Sequence, residues 1–98
     1  MTKKQILVVG RHQDTNEKVL HLINSNEHWI GKGSITDESA LEMYQNGAFD
    51  MALLSGGIEV ESGIKLRAAF TEKNPDVVVL QHFGGIGTLA ADIEKAFL

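Results

Sequence analysis

The sequence predicts a three-layer α/β/α domain with a parallel sheet of four strands between two layers of helices. Three observations point there. Ile6-Leu7-Val8-Val9, Met51-Ala52-Leu53-Leu54 and Val77-Val78-Val79-Leu80 are short, uninterrupted apolar runs, as expected of strands buried on both faces. Segments of helical periodicity separate them, so each strand is followed by a crossover, and such crossovers are right-handed. At 98 residues, with 43% hydrophobic and 22% charged residues, the chain is of single-domain size, and residues 1–98 are read as one domain.

The first strand covers Lys3 to Gly10. Arg11-His12-Gln13 is a loop, and Asp14 is expected to cap the first helix, with Glu17 three residues later as in a capping box. Val19, Leu20, Leu22 and Ile23 supply that helix's apolar face, and Asn24-Ser25-Asn26 ends it. The second strand, Trp29 to Ile35, carries Lys32, Gly31 and Gly33 and reads as an edge strand. Thr36 or Asp37 caps the second helix, which buries Ala40, Leu41 and Tyr44 and stops at Asn46-Gly47.

The third strand is Met51 to Leu54, closed by Ser55-Gly56-Gly57. A third helix starts between Ile58 and Ser62, with Leu66, Ala69 and Phe70 as its stripe. Glu59-Val60-Glu61 reads as its solvated first turn, and Asn74-Pro75 forbids continuation. The fourth strand is Asp76 to Leu80, followed by the loop Gln81-His82-Phe83-Gly84-Gly85-Ile86-Gly87. Thr88 caps a last helix in which Leu89, Ala90, Ile93, Ala96 and Phe97 form the cleanest amphipathic pattern of the chain.

Several function classes are disfavoured by composition. No cysteine is present, which removes disulfides, thiolate zinc sites and thiol nucleophiles. A net charge of −4 with scattered basic residues argues against nucleic acid as a partner. No segment has the length of a signal-peptide core or a membrane span, so no membrane partner and a cytoplasmic location are expected.

A parallel sheet binds ligands beyond the carboxyl ends of its strands. Those ends carry Gly10-Arg11-His12, Thr36, Ser55-Gly56-Gly57 and Gln81-His82-Phe83. The candidate ligand-binding residues are therefore Arg11, His12, Ser55, Gln81 and His82. Gly85 and Gly87 join them as part of a glycine-rich turn before a helix, where free N–H groups favour anions. That turn lacks the Gly-Lys-Ser/Thr of a P-loop and does not follow the first strand, so it matches neither phosphate fingerprint. His12 and His82 could bridge a metal with Asp14 or Glu59, but no ligand spacing supports it, and neither metal nor cofactor is expected. Ser55 beside His82 suggests a nucleophile and base. The glycine two residues before a nucleophile-elbow serine is missing, and no acid is placed in the sequence to orient His82, so no catalytic residue is expected.

Ile6-Leu7-Val8-Val9, Ile35 to Glu42, Phe49 to Leu54, Ser62 to Leu66 and Pro75 to Leu80 together resemble the receiver domain of two-component response regulators, the CheY-like branch of the flavodoxin-like fold. The likeness runs over roughly residues 4–82. It implies the strand order 2-1-3-4. It also implies what is missing. Receivers carry an acidic pair after the first strand to hold magnesium, where this chain has Gly10 and Arg11. They carry an aspartate at the place of Ser55 and a threonine or serine at that of Gln81, and their fifth strand with its lysine is absent here. A cation at Arg11 repels magnesium, and a serine forms no acyl phosphate. The resemblance therefore implies a pseudo-receiver, incompetent for phosphorylation, that acts as a protein-interaction or regulatory module. An alternative is a small anion- or nucleotide-binding protein that uses the strand carboxyl edge and the Gly84–Gly87 loop. In the order 2-1-3-4 the apolar strand Val77–Leu80 is an edge, and pairing with its copy in a homodimer would cover it.

Overall fold

A computed structural model describes residues 3–55, 57–82 and 86–97 of the chain. Its strands are β1 (Lys4–Val9), β2 (Trp29–Ser34), β3 (Met51–Leu54) and β4 (Val78–Gln81), and its helices are α1 (Gln13–Asn24), α2 (Asp37–Asn46), α3 (Val60–Lys73) and α4 (Leu89–Ala96), the last preceded by one 3-10 turn at Ile86–Thr88. All strand pairs are parallel, and the order is β2-β1-β3-β4, as expected.

Strand alternation divides the core in two. Leu7, Val9, Ala52 and Leu54 face α2 and α3, where they meet Ala40, Tyr44, Leu66 and Phe70. Ile6, Val8, Met51 and Leu53 face α1 and α4, where they meet Val19, Ile23, Leu89 and Ile93. Two helices thus cover each face, and the stripe of α4 lies beside α1 on the sheet, where its amphipathic pattern called for a surface. On the second face Gly31 and Gly33 of β2 admit α1 closely. A Cβ at Gly31 would stand 2.9 Å from Ile23 Cγ2, and one at Gly33 2.6 Å from Leu20 Cδ1.

Several local expectations are corrected. Asp14 does not cap α1. The N-cap is His12, with no side-chain cap bond, and Asp14 lies inside the first turn, where its carboxylate acts only through the helix dipole. Of the two caps expected for α2, it is Thr36 that serves, accepting from Ser39 N at 3.2 Å. β4 begins at Val78 rather than Asp76, because the Asp76 N–H bonds Asn74 Oδ1 and the Val77 N–H bonds Asn74 O, which spends those donors on a turn. Thr88 holds the N-cap position of α4, but its hydroxyl faces Asp92 Oδ2 at 3.5 Å and makes no cap bond. Lys73, in the last turn of α3, reaches across to α2: its ammonium donates to Tyr44 O at 2.8 Å and to Gln45 O, closing the C-terminus of α2 across the helix pair. No described helix is long and apolar enough to cross a membrane.

Candidate functional site

The carboxyl edge of the sheet is where the candidate residues converge, and alternation sends them to different sides of it. Ser55 follows β3 directly and is buried. Its N–H and its Oγ both donate to Val9 O, at 2.9 and 3.1 Å. The hydroxyl proton is therefore committed to the backbone of the neighbouring strand. Gly10, at the end of β1, lies against this serine. A Cβ added there would stand 2.6 Å from Ser55 Oγ and 2.8 Å from Asn16 Oδ1, both closer than packed atoms tolerate. Asn16 reaches in from α1, is 4% exposed, and donates to Ser34 O at 3.4 Å, while its Oδ1 is buried without a hydrogen-bond partner. Glycine, serine and asparagine fill the edge between β1 and β3.

Arg11 turns to the other side, towards α2 and α3. Its guanidinium holds Asp37 Oδ1 at 2.6 Å and Glu59 Oε2 at 3.0 Å, and reaches Ile35 O at 3.4 Å. One planar donor fork thus ties the end of β1 to the start of α2 and to the N-cap of α3. The hydrogen bond from Arg11 draws Glu59 down to about 2 from an ordinary 4.5. For Asp37, burial pulls upward, but hydrogen bonds from Arg11 and Ser62 outweigh it and leave the carboxyl below its ordinary value. Hydrogen bonds donated to Glu59 and then to Asp37 hold Arg11 above its own. Glu59 is thus exposed yet bound to a cation, which corrects its reading as a merely solvated turn residue.

The two histidines meet different neighbours. His12 is exposed at the start of α1, and its ring lies 3.4 Å from where a Cβ of Gly57 would be. Gly57 has φ +89°, a conformation that favours glycine. His82 is mostly covered, and its Nδ1 stands 3.1 Å from Asp92 Oδ2 of α4. The expectation that no acid orients His82 is therefore corrected: helix α4 supplies one ten residues downstream. The Ser55 hydroxyl, for its part, donates to Val9 O. Gln81 is exposed and, by alternation with Val79, turns to the α2/α3 side, away from His82. Gly87 lies in the exposed 3-10 turn. Gly85, with Gly56, Phe83 and Gly84, lies outside the described residues. No group of three histidine or acidic side chains is gathered for a metal among the described residues.

The sequence reading did not place Asn16, Asp37 or Asp92 at this edge, and it offered Glu59 there only as a metal partner of the histidines. Only Asn16 left a local signal, as a polar residue three before Val19 and seven before Ile23 on the buried stripe of α1. A groove of about 700 Å³ runs elsewhere, along α1, over Asp14, Lys18, Leu22 and Ile86.

Neither a protein-family model nor a curated protein matches the sequence. Solved structures do match. The response regulator TrrA of Thermotoga maritima, in complex with Mg²⁺ and a beryllium fluoride, superposes with a TM-score of 0.80 at 17% identity, over 95% of this chain and 98% of that one. TrrA in complex with the histidine kinase ThkA gives 0.75 at 17% identity, over 97% and 99%. The chemotaxis response regulator CheY4 of Vibrio cholerae gives 0.73 at 14% identity, over 97% and 81%. The fold is that of response-regulator receiver domains.

Proposed function

We propose that this protein is a receiver-fold regulatory module that works in the cytoplasm by protein contact, is not an enzyme, and takes no phosphoryl group. The observation that carries this reading is the packing at Gly10. In a receiver the ends of β1 and β3 carry the carboxylates that hold magnesium and accept the phosphoryl group. Here a side chain at position 10 would collide with Ser55 and Asn16, the Ser55 proton is spent on Val9 O, and the neighbouring cation is Arg11, saturated by Asp37 and Glu59. Without a metal or a base, a serine hydroxyl is a poor acceptor.

The partner is a protein. TrrA, which shares the fold, forms a complex with a histidine kinase. A second copy of this chain is the self-partner that the open β4 edge suits. Val78, Val79 and Leu80 are only half-buried there, and the pairing groups of Val77–Leu80 on that side meet no fifth strand among the described residues. Val60 and Ile64, 78% and 66% exposed, lie on one face of α3, roughly half a turn around the helix from Lys73, which marks the α2 side. They add an exposed apolar pair on the face of α3 turned away from α2.

Two experiments test this. Incubation with acetyl phosphate and magnesium should leave the intact mass unchanged, and the gain of one phosphoryl group overturns the reading. Light scattering on a sizing column should give twice the chain mass, falling to one chain mass for Ile64→Asp. A wild-type mass of one chain removes the self-partner and leaves the phosphorylation result standing by itself.

A further inference from the structure

The chain has five asparagines, at positions 16, 24, 26, 46 and 74, and the structure holds four of them out of reaction. Asn16 is buried within α1. Asn24 is bound on both sides of its amide, donating to Gly31 O at 3.4 Å and accepting from Gly31 N at 2.8 Å, while the following Ser25 N–H bonds His21 O. Asn26 accepts from His28 N at 2.8 Å and is followed by the bulky Glu27. Asn74 precedes Pro75, which has no N–H.

Asn46 differs on every count. It is the last residue of α2, it is exposed, and its amide makes no hydrogen bond among the described residues. The next residue, Gly47, is exposed too and has no side chain to crowd an approach to its nitrogen. The C-cap N–H groups of α1, α3 and α4 all bond a carbonyl of their own helix. That of Gly47 bonds none among the described residues, and the last carbonyls of α2, Tyr44 O and Gln45 O, are taken instead by Lys73. Asn46 also opens onto a recess of about 380 Å³ lined by Lys32, Glu42 and Phe49, which gives water access.

We infer that Asn46–Gly47 is a site of self-modification, at which the asparagine amide converts to aspartate and isoaspartate in the folded protein. The Gly47 backbone nitrogen gives its proton to solvent base and attacks Asn46 Cγ, forming the N–C bond of a five-membered succinimide. The Cγ–N bond of the side chain breaks and ammonia leaves. Water then opens either carbonyl of the ring, giving aspartate or, through the β-carbonyl linkage, isoaspartate. The sum is gain of water and loss of ammonia, with no oxidant or metal. The product is one charge unit more negative than the −4 of the parent chain. The new carboxylate stands at the C-terminal end of a helix, the end the dipole makes unfavourable for an anion. The isoaspartyl form lengthens the main chain beside Phe49, whose ring lies 2.8 Å from where a Cβ of Gly47 would be.

The test is ageing of the full chain in mildly alkaline buffer, followed by peptide mapping. The peptide spanning Asn46–Gly47 should gain the mass of an amide-to-acid conversion and become a substrate for an isoaspartyl methyltransferase. It should convert at least roughly tenfold faster than the peptide spanning Asn24–Ser25, whose two amide hydrogen bonds must open first. Asn46→Gln should abolish both signals and the acidic satellite on ion exchange. If Asn46 stays an amide in the folded chain while the urea-unfolded chain converts, or if the Asn24 peptide converts as fast, the inference is wrong.

Discussion

Gly10→Ala measures how tightly the carboxyl edge is closed. The added methyl meets Ser55 Oγ at 2.6 Å and Asn16 Oδ1 at 2.8 Å, so both oxygens must retreat by several tenths of an ångström. Both sit in buried side chains with little room. Retreat of Ser55 also stretches its 3.1 Å bond to Val9 O. Overpacking of a close-packed interior costs about 1–3 kcal/mol. For a domain of this size that corresponds to a fall in melting temperature of roughly 4–24 °C, with each kcal/mol worth about 4–8 °C. Urea unfolding followed by circular dichroism gives the value directly. The clash is specific, so the double variant Gly10→Ala/Ser55→Ala should be less destabilised than the sum of its singles. Ser55→Ala by itself costs about 1 kcal/mol for the lost hydrogen bond. A Gly10→Ala chain within about 0.5 kcal/mol of the parent, the scatter of surface substitutions, would falsify the account of a filled site.

The remaining predictions concern the ties around that edge. Arg11→Gln should lower stability at neutral pH and by less as the solution is acidified. Asp37 and Glu59 have folded-state pKa values below their ordinary ones, so their contribution is complete above about pH 4.5 and disappears as pH falls towards about 2. Melting curves across that window check it, and a difference independent of pH refutes the ion triad. Salt should shrink the Glu59 share of the same difference, since that carboxylate is exposed while Arg11 and Asp37 are partly buried. Phe70→Ala should cost about 3–5 kcal/mol, because the ring is fully buried and packs 4.4 Å from that of Tyr44. Tyr44→Phe should cost about 1 kcal/mol by removing the 2.9 Å bond from its hydroxyl to Phe70 O. Lys73→Met, which keeps the apolar stem but not the ammonium, should loosen the end of α2 and speed amide exchange there without changing exchange in β1.

Much of the fold was legible because it is written in local periodicity. Apolar runs at Ile6–Val9 and Met51–Leu54 meant central strands, the lysine and glycines of Trp29–Ser34 meant an edge, and the stripe from Leu89 to Phe97 required a sheet face, since each pattern is repeated within one element and set by burial alone. The residue types at the strand ends were also legible, because a residue at a known strand end is a local fact. Partners were not. Arg11 meets Asp37 and Glu59 across 26 and 48 residues, His82 meets an aspartate on another element, and Asn16 reaches the gap at Gly10 only because Gly31 and Gly33 let α1 settle close to β2. The glycines were read as signs of an edge strand, and their second role, admitting a helix, depends on which face α1 occupies.

By itself the sequence determined that this chain forms a doubly covered parallel sheet whose first and third strands end in glycine, arginine and serine. Only the tertiary structure decided how these residues are held: a buried serine spent on the backbone, a glycine with no space beside it, and an arginine that two distant carboxylates hold in place. Spacing along a chain specifies which face a side chain takes, but the distance between two charges from different elements is set by how helices seat on a sheet, and that is a property of packing.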